Sequence, residues 1–401
     1  MNDYIFPKWR VVSSYLFLMI LPLTGFVSLL LSLDINLSVY SFIKINISRF
    51  YVLFTIIFSF IFLLFYSKEK IKYFEVFYLI AFLFSIVSMF FIVINNDNIY
   101  SYNSNVLISG YQYNFPIIFY SLTLFFVGYF FDIKKIKSAI ILIFISFIII
   151  VYSNVNGSLL YDLNNINPDY RNNYLIWSDS FAISALLLIS ILNKKKRVFI
   201  YFLSLIVVYS LYSRTSFFLL IPIYIFIYKD LSKNMKIISF IILSCISILI
   251  LYFIFNSDIM DYFSRYISAL SGNDNSVSAR SLLLHQGLID IKNNFILGAY
   301  GYQTLQNIDT GGARWGAYIH SILSYYRQFG LFVFLCIAFM SIMSFITLVK
   351  VNKIKNKDSN EFFYVIFGFY ILVSCFFSRS YIYYELFFLF GLTLSQLKKG
   401  H

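Results

Sequence analysis

Residues 278–330 read SARSLLLHQGLIDIKNNFILGAYGYQTLQNIDTGGARWGAYIHSILSYYRQFG. This is the one long run in the chain that is neither hydrophobic nor lysine-rich. It carries Arg280, His285, Arg314, His320 and Arg327, cations and imidazoles set beside apolar segments of membrane length. Glycines at 298, 301, 311, 312 and 316 divide it into short helices and turns. SARSLLLHQGLIDI places Leu283, Leu284, Leu288 and Ile291 at roughly helical spacing, and AYIHSILSYYRQFG reads as a helix ending at Gly330. Any chemistry is expected here.

Outward from that stretch the chain is apolar. With 60% hydrophobic and 12% charged residues and a mean hydropathy of +0.79, it belongs to the polytopic membrane class. Only 5 prolines accompany 49 Phe and 35 Tyr, so long and mostly unkinked helices are expected. A span needs about 20 apolar residues, and about twelve candidates occur, at roughly 11–33, 50–66, 73–95, 114–131, 137–153, 174–192, 198–212, 215–229, 236–256, 330–350, 361–378 and 382–397. The expected fold is an all-α polytopic integral membrane protein, residues 1–401 forming one transmembrane domain. No A-x-A signal follows the first span, so it is expected to stay as an anchor.

The basic residues orient the spans. Of the 31 Lys and Arg, 21 fall in one alternate set of loops, among them Lys8/Arg10, Lys134/Lys135/Lys137, Lys194 to Arg197 and Lys398/Lys399. By the positive-inside bias this set is cytoplasmic, and both termini with it. The formal +13 is then topology rather than a nucleic-acid signature.

Residue type changes with the side. The inner loops hold 19 Lys and 2 Arg; the outer loops hold 2 Lys and 8 Arg. Topology needs only positive charge, so the outer bias to Arg points to geometry. The guanidinium fork meets a phosphate bidentately and stays charged at any working pH. The competing reading is that some of these arginines snorkel to headgroups. The outer segment 257–329 is too long for a structureless loop and is expected to fold into short helices at the membrane mouth. Segments 96–113 and 154–173 read as modest, polar, Asn/Tyr-rich outer loops.

Arg214, in the tight connection YSRTSFFLL, and Arg280, at the start of the amphipathic helix, are candidate ligands for a diphosphate. His320 could take a proton from a sugar hydroxyl or donate to a phosphate oxygen. Arg265, Arg314, Arg327, Arg379 and His285 are further candidates for binding pyrophosphate or sugar, with Trp315 and Tyr318 as sugar-stacking aromatics. Asp179, Glu385, Asp258 and Asp261 are the carboxylates nearest the outer mouth, able to act as base or to hold an arginine. Each of these residues also has a bland reading as a solvated or structural group.

Several classes are excluded. There is no G-x-x-x-x-G-K-[ST] for ATP, no H-E-x-x-H and no D-x-D for a metal-bound nucleotide sugar. Cys245, Cys336 and Cys375 all lie in apolar runs and read as core, with no disulfide or metal centre. No cofactor is expected.

Three pieces resemble the O-antigen polymerase and ligase superfamily of bacterial inner membranes. SRTSFF around Arg214 resembles the family's Ser-Arg-small turn. SARSLLLHQGLIDIKNNFILGAYGY resembles its Arg, amphipathic helix and Asn-Pro-Leu-Leu-Gly-x-Gly turn, with Phe295 where Pro is usual. IHSILSYYRQFGLFVF resembles its His-Asn followed by a hydrophobic helix, with Ser321 in place of Asn.

The resemblance implies a GT-C-like glycosyltransferase of the inner membrane, its active site facing the periplasm, with Arg214, Arg280 and His320 matching the family's arginines and histidine. It implies an undecaprenyl-pyrophosphate-linked oligosaccharide as donor and acceptor, with membrane lipid and a chain-length regulator as candidate partners. The expected reaction is metal-independent and inverting. Polymerase is preferred to ligase on the Phe/Tyr/Asn-rich composition. A flippase for the same lipid-linked sugars is the rival from another class. It would bury cations at mid-membrane between repeated halves, whereas these cations gather in outer loops and no repeat is seen.

Overall fold

A computed structural model of the 401-residue chain describes residues 5–33, 73–95, 99–102, 106–155, 161–162, 166, 173–241, 244, 275–301 and 319–400. Among these residues the protein is helical apart from one short hairpin. Six helices are long and apolar enough to cross a membrane: Lys8–Ser32, Tyr73–Asn95, Ile133–Ser153, Tyr174–Ile191, Leu323–Asn352 and Ser359–Phe377. The chain thus has the make-up of an α-helical membrane protein. The candidate span at 50–66 and most of that at 236–256 lie outside the described residues.

The chain divides into two compact units. The first comprises Met1–Leu37, Asp132–Val277 and Lys357–Tyr370. It holds α1 (Ile5–Ile20) and α2 (Pro22–Ser32), which together make the first candidate span. The second comprises Ser38–Phe131, Ser278–Asn356 and Ile371–His401. It holds α3 (Tyr73–Asn95), the hairpin of β1 (Ile99–Tyr102) and β2 (Val106–Ser109), and α4 (Gly110–Phe130). Back in the first unit follow α5 (Lys137–Ser153), α6 (Tyr174–Ile191), α7 (Lys194–Ser210), α8 (Arg214–Leu220) and α9 (Ile223–Lys229). The second unit continues with α10 (Asn275–Asn293) and α11 (Leu323–Asn352). Helix α12 (Ser359–Phe377) belongs to both, and α13 (Glu385–Lys398) closes the second unit.

In the first unit α6 is the centre, with Trp177, Phe181, Leu186 and Ile189 fully buried. It packs on α2, α5 and α7. Ser180 Oγ donates to the Leu21 carbonyl at 3.0 Å and Trp177 Nε1 to Ser28 Oγ at 3.0 Å. Phe181 stacks on Phe144 of α5 at 5.1 Å.

Polar ties gather several lysine-rich connections at one end of this unit. Asp132 Oδ1 caps the turn Ile133–Ile136 and accepts from Asn360 at 3.0 Å, while Ser14 Oγ donates to the Asp132 carbonyl at 2.9 Å. Asp230 pairs with Arg197 at 3.6 Å and Lys357 at 3.9 Å. An Asp358–Glu361 capping box starts α12. Helix α7 carries Arg197 and Ser210 about 20 Å apart along its axis. At its far end Tyr161 N donates to the Ser210 carbonyl at 2.9 Å, so this part of segment 154–173 meets the C-terminal end of α7.

The second unit is built on α4 and α13. Gly128 faces the Phe388 carbonyl and Gly391 the Phe125 carbonyl, so the two backbones run close, as small residues permit between packed helices. Phe82 of α3 stacks on Phe125 at 3.7 Å, and Tyr78 OH donates to the Phe390 carbonyl at 3.2 Å.

Three elements depart from the expectation. The 215–229 span is two short helices, because Pro222 lacks an amide proton and crowds the preceding turn. Pro22 starts α2 with a step after α1 for the same reason, so these helices are less continuous than the low proline content suggests. The 96–113 loop contains a hairpin in which Ile99 pairs with Ser109 and Tyr102 with Val106, favoured by their β-branched and aromatic residues.

Candidate functional site

The second unit assembles the stretch around His320 from the core outward. On α10, Leu283, Gly287, Asp290 and Ile291 face inward, spaced four, three and one apart on one helical face. Leu284 and Leu288, grouped with them by spacing, are exposed instead. The inward face carries a carboxylate, and the fold answers it with a guanidinium. Arg327 Nε donates to Asp290 Oδ2 at 2.8 Å and Nη2 donates to the same oxygen. Both residues are buried, and Arg327 Nη1 has no hydrogen-bond partner among the described residues.

The turn after α10 is locked onto the residues after Arg327. Ala299 N donates to the Arg327 carbonyl at 2.6 Å, Leu331 N to the Ile296 carbonyl at 3.1 Å, and Gly301 N to Gln328 Oε1 at 3.0 Å. Gly298 (φ +79) and Gly330 (φ +75) lie where these backbones touch. A Cβ on Gly298 would stand 2.5 Å from Gly330 N, and one on Gly330 would run into the Ile296 carbonyl. Gly330 ends the short helix that starts at Leu323 and opens the membrane-length remainder of α11, so the expected helix end falls there.

His320 lies three residues before α11, half-buried. Its imidazole is hydrogen-bonded to the Ser378 backbone and feels the charges of Arg280 and Arg379. Burial is the main cause that pushes it down to about 4, Arg280 is next, and Arg379 adds to it; the Ser378 bond works against them. The ring is therefore neutral at ordinary pH. Arg280 is exposed on α10, and Arg379, in the connection between α12 and α13, lies 5.7 Å over the Tyr383 ring. The aromatic residues that follow His320 along α11 are packed tightly. Phe329 meets Tyr381 edge-on at 5.4 Å, and with Tyr325 and Phe387 they line a small apolar space bounded also by Met89, Ile117 and Ser121.

Comparison with protein-family models, curated proteins and solved structures finds no match for this chain. The arrangement is therefore weighed on its chemistry.

Three of the residues singled out in the sequence come together here: His320, at the entry to α11, feels the charges of Arg280 on α10 and of Arg379 in the connection between α12 and α13. Arg327 is turned inward onto Asp290. His285 is exposed on α10. Arg214 belongs to the first unit, half-buried at the start of α8. Arg265, Arg314, Trp315 and Tyr318 lie outside the described residues, as do Asp258 and Asp261.

Sequence reasoning missed Asp290. The available signal was an acid three residues after the small residue Gly287 and seven after Leu283, on the apolar face of its own helix. Among the described residues no three His, Cys, Asp or Glu side chains converge as metal ligands. A neutral imidazole beside two guanidiniums can accept one proton while the cations hold an anion.

Proposed function

We propose that this chain is an O-antigen polymerase, a membrane glycosyltransferase that moves a growing glycan from undecaprenyl pyrophosphate onto the non-reducing end of a lipid-linked repeat unit. The observation that carries the reading is the coupling of His320 with Arg280 and Arg379 beside a membrane-length helix. The acceptor hydroxyl oxygen attacks the anomeric carbon, the bond from that carbon to the pyrophosphate oxygen breaks, and the hydroxyl proton passes to His320. The pyrophosphate leaves with its negative charge held by Arg280 and Arg379. Each charge-assisted bond there is worth about 1.5–3 kcal/mol. One displacement inverts the anomeric centre.

The reading includes about twelve spans in a GT-C-like arrangement, placed in the bacterial inner membrane with both termini cytoplasmic and the His320 site periplasmic. It is supported by the outer Arg bias and by the three stretches that resemble the polymerase and ligase superfamily. The ligase reading shares the same chemistry and differs only in its acceptor.

A lipopolysaccharide gel from a strain lacking the gene, complemented with wild type, Arg280→Ala or His320→Ala, tests it. Core bearing a single repeat unit, with the ladder restored only by wild type, is the expected result. Bare core with accumulated lipid-linked polymer would assign a ligase instead. Bare core without polymer would assign a flippase, and an unchanged ladder would remove the proposal.

A further inference from the structure

Asp179 lies on α6, a helix of membrane length, where an ionisable side chain is costly unless it is partnered and used. Its partners are specific. Oδ1 accepts from Ser216 Oγ at 2.6 Å and from Tyr370 OH at 3.1 Å. Ser216 Oγ lies 2.9 Å from Ser213 Oγ, which in turn accepts from Ser216 N at 3.3 Å.

A hydroxyl has one proton to give. Ser216 gives its proton to the carboxylate, so the hydrogen bond between the serines must be donated by Ser213. The result is a directed chain from Ser216 N–H to Ser213, from Ser213 back to Ser216, and from Ser216 to Asp179. Its end is an anion, and bonds of that kind are about twice as strong as neutral ones. Ser213 and Ser216 stand on either side of Arg214 and close the turn that starts α8.

We infer that Asp179 is a positioning residue: through Ser216 and Ser213 it fixes the 213–216 turn and so presents Arg214 to an anionic phosphate ligand. That Arg214 meets a phosphate rests on the family resemblance that also supports the function proposed above, where Arg280 and Arg379 hold the leaving group; the fixing of the turn rests on neither. Asp179 need not touch the ligand. The carboxylate supplies an acceptor that orients two hydroxyls, a task an amide oxygen does less well and an alkyl group does not do.

The test uses the full-length protein in lipid nanodiscs, with two readouts on each variant. The first is amide hydrogen exchange across residues 211–217. The second is donor KM and kcat for glycan transfer, with an undecaprenyl-pyrophosphate-linked repeat unit as substrate. Asp179→Leu and Ser216→Ala are expected to speed exchange in the turn at least about tenfold, with Asp179→Asn in between. Both are expected to raise donor KM, and Asp179→Leu is expected to add nothing to an Arg214→Ala background. Tyr370→Phe, which removes one bond without unpairing the serines, guards against general misfolding and should shift exchange less. Unchanged exchange in Asp179→Leu, or losses that add to those of Arg214→Ala, would overturn the inference. A wild-type protein with no transfer would remove the proposed function, while the exchange readout would still decide whether Asp179 holds the turn.

Discussion

Arg327 and Asp290, 37 residues apart in sequence, form a buried pair in which Nε and Nη2 of the guanidinium share one carboxylate oxygen. The pair ties the amphipathic helix α10 to the entry of α11. Removing one member of a buried pair strands the other charge, at about 3–5 kcal/mol, whereas replacing both by apolar groups is often neutral or better. Asp290→Ala and Arg327→Ala are each expected to lower the thermal unfolding midpoint of the detergent-solubilised protein sharply. The Asp290→Leu/Arg327→Met double variant should recover most of that loss. A double variant as unstable as the singles would show that the pair is not what holds α10 in place.

The contact of Gly298 with Gly330 makes a second prediction. Gly330, at φ 75 and ψ −175, occupies a region essentially closed to residues with a Cβ, worth about 1–3 kcal/mol in strain. The Cβ of alanine would also meet the Ile296 carbonyl. Gly330→Ala should therefore open the 295–301 turn, seen as faster proteolysis there and a lower unfolding midpoint. Gly400→Ala is the control, because Gly400 also has positive φ (+93) but its Cβ would meet nothing within 4 Å. Equal effects at the two sites would mean that backbone strain alone, without the close approach, sets the cost.

These two relationships differ in how far they could be read beforehand. Membrane-length runs were legible because burying apolar area in lipid leaves a simple length and composition signal. The break in the 215–229 run is marked in the sequence by Pro222, but its apolar length outweighs a single proline as a signal. The end of a helix at Gly330 was readable from a glycine after an apolar periodic stretch. The partner of Arg327 was not, because a sequence shows that Asp290 is acidic and helical but not which distant cation reaches it. His320, Arg280 and Arg379 were each visible as outer basic groups. Their coupling depends on how α10, α11 and α12 are brought together, which spacing does not encode. The 99–109 hairpin was hidden because Asn and Ser are interleaved with its Ile, Val and Tyr, so the run resembles a polar loop.

Arg280 tests whether charge or shape matters at the site. Lysine keeps the charge but loses the planar fork, so two oxygens of one phosphate are no longer met together. Arg280→Lys is expected to impair glycan transfer nearly as much as Arg280→Ala, at least about tenfold in kcat/KM. Because Arg280 is exposed on α10, neither change should alter the unfolding midpoint appreciably. Full activity in the lysine variant would sink the bidentate contact and leave simple charge attraction.

His320 makes the pH prediction. Burial and the two arginines push the imidazole down to about 4, so kcat/KM, which reports the free enzyme, should hold above pH 5 and fall only as pH drops through about 4. A bound pyrophosphate sets negative charge against Arg280 and Arg379 and so removes part of what depresses the ring. The limb of kcat, which reports the complex, is therefore expected at higher pH, toward the ordinary histidine value of about 6.5. Donor binding would in this way strengthen the base that the reaction needs. Stability has its own sign. The unfolded chain takes up a proton near pH 6.5 that the folded site declines until about 4, so this group lowers stability as pH falls through that window. The midpoint difference between wild type and His320→Gln should change between pH 6.5 and 4 and level off below it. Identical limbs for kcat and kcat/KM would mean that the donor leaves the charges around His320 untouched, and would remove the imidazole from the proton transfer as proposed.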